Sequence, residues 1–204
     1  VRAGEGEADA DPEAIARQIC LRLLTVAPRT RAQLADALRR RDVPESAADA
    51  VLGRFADVKL IDDTMFAQAW VESRHYGRGL SRRALASELR QRGVPSEDID
   101  SAVSRLDPEQ ELATAEALVA RRLAGTRGQP PQARIRRLMG VLARKGYPQA
   151  LAYRVIRTAL EQDRADQAAE GSRLADLALE EAMAGLADAE TEADAEPQEQ
   201  DYAG

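Results

Sequence analysis

The sequence predicts an all-α protein built as three tandem three-helix repeats stacked into an elongated curved body. Three observations carry this reading. Aromatic residues make up 3% of the 204 and β-branched runs are absent, while the strong helix formers Ala, Leu, Arg and Glu dominate. Between the prolines, apolar residues recur at three- and four-residue spacing, the period of one helix face. A short signature also returns twice: Leu38–Arg39–Arg40–Arg41–Asp42–Val43–Pro44 reappears as Leu89–Arg90–Gln91–Arg92–Gly93–Val94–Pro95 and as Leu142–Ala143–Arg144–Lys145–Gly146–Tyr147–Pro148. The offsets between the signature prolines are 51 and 53 residues. A unit of about 50 residues buries little core alone, so three in a row stack.

Taken in order, residues 1–13 hold five acids against Arg2 and read as a disordered acidic arm. The first repeat, 14–61, places Ile15, Ile19, Leu23 and Val26 on one helix and Leu34 and Leu38 on the next, where Thr30 and Gln33 have capping-box spacing. Its third helix follows Pro44 and carries Val51, Leu52, Phe55 and Val58. In the second repeat, 62–106, Asp62 or Asp63 caps a helix bearing Phe66, Trp70 and Val71. Gly77-Arg78-Gly79 stops that helix, Ser81 starts the one with Leu85 and Leu89, and Pro95 precedes the one with Ile99, Val103 and Leu106. The third repeat, 107–160, runs through Leu112, Leu118, Val119 and Leu123, then Ile135, Leu138 and Leu142, then Leu151, Val155 and Leu160 after Pro148. Gly93 and Gly146 close second helices in the left-handed conformation that glycine adopts most cheaply. That makes nine helices. Residues 161–187 extend the last helix or form another, and 188–204, with seven acids and Pro197, read as a disordered tail.

The net charge of −6 conceals a segregation of charge. Residues 14–160 hold 26 basic and 16 acidic residues, a net of +10, whereas 161–204 hold fourteen acids against Arg164 and Arg173, a net of −12. A basic body between acidic ends points to a nucleic acid or an acidic protein surface as partner. No run approaches the ~18 apolar residues of a membrane span, and the acidic start is unlike a signal peptide, so a cytoplasmic protein is expected. One cysteine and one histidine cannot supply the four ligands of a structural zinc site. Cys20, among Ile19, Leu21 and Leu23, reads as a small buried hydrophobe, and His75, with no nucleophile at a recognisable spacing, as a polar, half-exposed residue. No catalytic constellation emerges, and neither a cofactor nor a metal is expected.

In the second repeat, Asp62, Asp63, Phe66, Ala67, Trp70, Val71, Arg74, Gly77, Gly79, Leu80, Leu85, Glu88, Leu89 and Gly93-Val94 together resemble the RecX family of bacterial recombinase regulators, over about residues 14–160. The resemblance implies three three-helix units that lie in the groove of the RecA–single-stranded DNA filament and suppress strand exchange, ATP hydrolysis and filament growth. It also implies a monomeric, non-enzymatic modulator in DNA repair, recombination and the SOS response. From the residues alone, Phe66, Trp70 and Val71 are expected to be core, and Asp62 and Asp63 caps instead of metal ligands.

The candidate partner-binding residues are Arg39, Arg40, Arg41, Arg74, Arg78, Arg82, Arg83, Arg90, Arg92, Arg134, Arg136, Arg137, Arg144 and Lys145. Arg41, Arg92 and Lys145 are repeat-equivalent, so stacking is expected to align basic side chains as a stripe. Guanidinium groups bind phosphates and carboxylates bidentately, which suits a repeating polyanion or a row of acidic side chains. Two rival readings follow from the same residues: a general DNA-binding helical protein that neutralises phosphates directly, and a helical adaptor for an unrelated acidic protein.

Overall fold

The computed structural model describes residues 11–193, with side chains through Glu181. Its elements follow from the punctuation of the sequence. Helix α1 (Pro12–Val26) starts on a proline, with the Asp11 carboxylate accepting the Glu13 N–H at 3.0 Å. Helix α2 (Arg31–Arg39) opens with a complete capping box: Thr30 Oγ1 accepts the Gln33 N–H at 3.1 Å, and Gln33 Oε1 accepts the Thr30 N–H at 3.3 Å. Helix α4 (Asp63–Arg78) is capped by Asp62 and ends at Gly79, whose φ of 64° is left-handed. Ser81 caps α5 (Arg82–Gln91), and Asp107 caps α7 (Pro108–Leu123). A 3₁₀ turn, Ala124–Thr126, leads to α8 (Pro131–Arg144). Helices α3 (Glu45–Asp57), α6 (Ser96–Ser104) and α9 (Gln149–Ala193) each begin directly after one of the three signature prolines. Among the described residues there are nine α-helices and no strand.

The chain divides into two units, Val1–Ile156 and Arg157–Gly204. In the first, helices pack mainly within their own triplet. Leu34, Leu38, Val51, Leu52 and Phe55 fill one core with Ala16, Ile19 and Cys20, and Val71, Leu85, Leu89, Val94 and Ile99 fill a second. The third triplet buries Val119, Leu138, Leu142, Tyr147, Val155 and Ile156. In the second unit, α9 carries Leu174, Leu177 and Leu179 in exposed positions.

Several expectations are corrected. Helix α1 begins at Pro12, inside the segment 1–13 expected to be disordered. Helix α9 runs through 161–187 and on to Ala193, six residues into the expected tail; Ala and Glu sustain a helix there, and the first proline is Pro197. Residues 194–204, the rest of that expectation, lie outside the described residues. Ile15, Val26 and Val58 fall on the helical period yet are exposed, because each core is complete without them.

The triplets meet through a junction that recurs. At the first, Thr30 Oγ1 donates to the Arg92 carbonyl at 2.6 Å, and the Arg31 N–H donates to the Asp63 carboxylate at 2.9 Å. At the second, the Ser81 N–H donates to the Lys145 carbonyl at 2.9 Å, and the Arg82 N–H donates to the Glu111 carboxylate at 2.8 Å. In both, a free N–H in the first turn of a second helix, that of Arg31 or Arg82, is satisfied by a carboxylate of the following triplet. Gly93 and Gly146 sit where the triplets close up: a β-carbon on Gly93 would run into Cβ of Ala32. Asp42, the equivalent residue of the first triplet, is exposed and holds φ 57° as a non-glycine.

Candidate partner-binding surface

Phe66, Trp70 and Arg74 are spaced four apart on α4, so they share one face. Phe66 and Trp70 stack with centroids 5.7 Å apart and planes inclined by 15°. The Arg74 guanidinium lies 4.2 Å from the Trp70 ring centroid, and that of Arg92, which follows α5, lies 3.7 Å from it. Trp70 Nε1–H donates to Glu88 Oε2 at 2.8 Å. Trp70 is therefore not the buried core residue expected: it is half-buried at the margin of the second core, as Phe66 is, while Ala67 and Val71 take the core positions. The physical reason is the indole N–H, which needs an acceptor, together with two cations that gain from the ring face while remaining near water.

The other candidate arginines divide by what they touch. Arg41 Nη1 donates to the Ala37 carbonyl at 2.8 Å, and Arg92 Nη1 donates to the Glu88 carbonyl at 3.1 Å. The stripe positions Arg41 and Arg92 thus curl back on the last turn of their own helices, where carbonyls are unpaired and the dipole favours a cation. Arg39 pairs with Asp36 at 2.8 Å, and Arg134 Nε donates to Thr126 Oγ1 at 3.0 Å. Arg40, Arg78, Arg83, Arg90, Arg136, Arg137 and Arg144 are exposed; Arg82 and Lys145, at the second junction, are half-buried. Arg74 and Arg92 are the pair brought together around one ring.

Asp62 caps α4, accepting the Met65 N–H at 2.9 Å, and that bond holds its carboxyl below the usual carboxylate range. Burial pushes Asp63 the other way, and it serves the first junction instead of its own helix. The cross-junction roles of Asp63 and Glu111 have no sequence signal, since each acid sits some 30 residues from the helix start it caps. His75 is fully buried, correcting the half-exposed expectation. Its Nδ1–H donates to the Leu80 carbonyl at 2.9 Å, and Nε2 lies 3.0 Å from Thr114 Oγ1, so it tethers the turn after α4 to α7. Gly77 lies within α4 and Gly79 ends it. Cys20 is buried, and burial pushes its thiol up. Among the described residues no three His, Cys, Asp or Glu gather as for a metal ion, and no helix is long and apolar enough to cross a membrane.

Beside Trp70 a groove of ≈ 520 Å³ opens between the first and second triplets, lined by Leu24, Pro28, Leu60, Met65, Phe66 and Trp70 with Arg29, Lys59 and Arg74. Its one acid among the described residues, Asp62, is engaged by the α4 terminus and by Lys59 at 3.6 Å.

Three helical triplets, each closed on its own core and joined through helix starts, define a tandem three-helix repeat protein. Family models of RecX match triplet by triplet: the first three-helix domain over residues 16–55, the second over 62–103 and the third over 109–156. The chain belongs to the RecX family of regulatory proteins. It is 61% identical over 160 residues to the regulatory protein RecX of Thermobifida fusca, covering 78% of this chain and 86% of that one. It is 62% identical over 165 residues to that of Streptomyces lividans, covering 81% and 88%. The crystal structure of RecX from Lactobacillus salivarius shares the fold at a TM-score of 0.66 and 17% identity, covering 73% of this chain and 97% of that one. A second crystal structure of a regulatory protein RecX aligns at 0.65 and 25% identity, covering 78% and 82%.

Proposed function

We propose that this protein is a non-enzymatic, monomeric cytoplasmic modulator of the RecA recombinase. It binds the RecA–single-stranded DNA filament along its groove and suppresses strand exchange and ATP hydrolysis. The observation that carries this reading is the match of all three triplets, in order, to the three-helix domains of a regulatory family. The basic body, +10 over residues 14–160, supports a polyanionic filament as the target. A rigid element bridging neighbouring filament subunits resists the conformational cycle that hydrolysis requires. The test is the ATPase rate of preformed RecA–single-stranded DNA filaments as this protein is added. A progressive fall is expected, and an unchanged rate at saturating protein overturns the reading.

One observation favours a second reading, direct DNA binding without a recombinase. Exposed Arg83, Arg136 and Arg137 have no carboxylate within 4 Å among the described residues. Affinity for bare single-stranded DNA that falls steeply with salt and equals affinity for filaments favours this alternative.

A further inference from the structure

We infer that the groove between the first and second triplets is a docking site for an acidic, leucine-bearing helical segment of a partner protein. The inference rests on the regulatory reading only in taking the partner to be a protein. The lining has two parts that seldom share a free surface. One is apolar: Met65 is 61% exposed and Leu60 45%, beside the partly buried Phe66 and Trp70. Such patches on a protein surface mark interaction sites, and Met, Trp and Arg are the residues enriched at the centres of interfaces. The other part is cationic: Arg29, Lys59 and Arg74 line the groove against the single, already engaged acid Asp62. Arg29 lines the groove with a half-buried side chain whose Nε has no hydrogen-bond partner. A guanidinium at the edge of an apolar groove favours a carboxylate ligand, which it binds more strongly than a neutral acceptor.

The chemistry argues against a nucleic acid here. Single strands bind by stacking bases on free aromatic faces along a track of free cations. The Trp70 ring already has Arg92 at 3.7 Å, Arg74 at 4.2 Å and Phe66 stacked on it, and most of the remaining lining is aliphatic. An amphipathic helix fits better, its leucines entering beside Met65 and Leu60 and its acids meeting Arg29 and Lys59.

Trp70 is the only tryptophan of the chain and lines the groove, so its fluorescence reports occupancy. The full-length protein is titrated to about 1 mM with a tryptophan-free helical peptide bearing leucines three and four residues apart and glutamates between. The controls are the same peptide with lysine for glutamate, and an oligo-dT strand. A saturable emission change with the acidic peptide only, weakened at least about tenfold in both Met65→Glu and Arg29→Ala, is the expected result. Both variants are checked by circular dichroism, and Met65 is exposed enough for its substitution to leave the fold intact. No change, an equal change with oligo-dT or the lysine peptide, or a change that survives both substitutions overturns the inference. No recombinase enters the assay, so its outcome is separate from that of the ATPase test.

Discussion

A β-carbon on Gly146 would lie 2.6 Å from Cβ of Ala84, at the junction of the second and third triplets. The same carbon would lie 2.8 Å from Ser81 Oγ and 3.2 Å from the Ala84 nitrogen, and Gly146 holds φ 82°. Gly146→Ala therefore meets both backbone strain and a steric clash, and a loss of roughly 1–3 kcal/mol is expected, read by thermal melting. Amide exchange should quicken first in α8. The contrasting substitution is Asp42→Gly, at φ 57° on an exposed residue: it should stabilise slightly or leave melting unchanged, since glycine relieves the left-handed strain.

Because Trp70 sits at the core margin, Trp70→Ala should cost less than truncating a wholly buried leucine. Leu89→Ala, at 0% exposure, is expected to lose about 2–5 kcal/mol. Trp70→Phe, which keeps the stack and loses the bond to Glu88, should lose only about 1 kcal/mol. Denaturant melts of the three variants test this ordering, and Trp70→Ala as the most damaging would return that residue to the core.

Asp63 provides a test by pH. Its carboxyl is raised by burial, so the folded state holds its proton more tightly than the unfolded chain does. Stability from this group is greatest below the unfolded carboxylate value and falls as pH rises through the folded one. Asp63→Asn keeps an acceptor for the Arg31 N–H without the buried charge. The variant should melt higher than the parent at neutral pH, and the gap should close toward about pH 4. A gap that widens on acidification contradicts the assignment.

Tyr147 is 5% exposed, its hydroxyl has no hydrogen-bond partner, and burial together with the nearby Glu111 carboxylate pushes its pKa up to about 12. Removing an unpaired buried hydroxyl leaves the packing and lifts a desolvation cost, so Tyr147→Phe should leave stability unchanged or gain about 1 kcal/mol. Alkaline titration followed by phenolate absorbance should show a late-ionising component that Tyr147→Phe removes.

The exposed arginines are expected to separate binding from stability. Arg136→Glu with Arg137→Glu should leave melting within about 0.5 kcal/mol of the parent while weakening binding to RecA–single-stranded DNA filaments. Arg82 is a poor choice for this test, because it is half-buried at the second junction and a carboxylate placed there would stand beside Glu111, which its backbone N–H holds.

The architecture was legible because its signals are local. Proline removes an N–H and fixes φ wherever it stands, so Pro44, Pro95 and Pro148 mark the starts of α3, α6 and α9 without reference to anything distant. The Thr30 capping box and the leucine pairs Leu34/Leu38, Leu85/Leu89 and Leu138/Leu142 likewise depend only on helical period, and all six leucines are fully buried. What escaped is non-local. Trp70 belongs to a face that periodicity assigns to a core; its place at the margin is set by Glu88 of α5 and by Arg92 just after it. The stripe equivalence of Arg41 and Arg92 was visible, but not that both donate to carbonyls of their own helices. Helices, repeats and charge segregation were thus determined by the sequence itself, since each rests on neighbours within a turn or on composition. Tertiary structure alone decided the junction acids Asp63 and Glu111, the tether made by His75 and the groove beside Trp70: each needs two groups about 20 to 40 residues apart to meet, and such a pairing exists only once the triplets have packed.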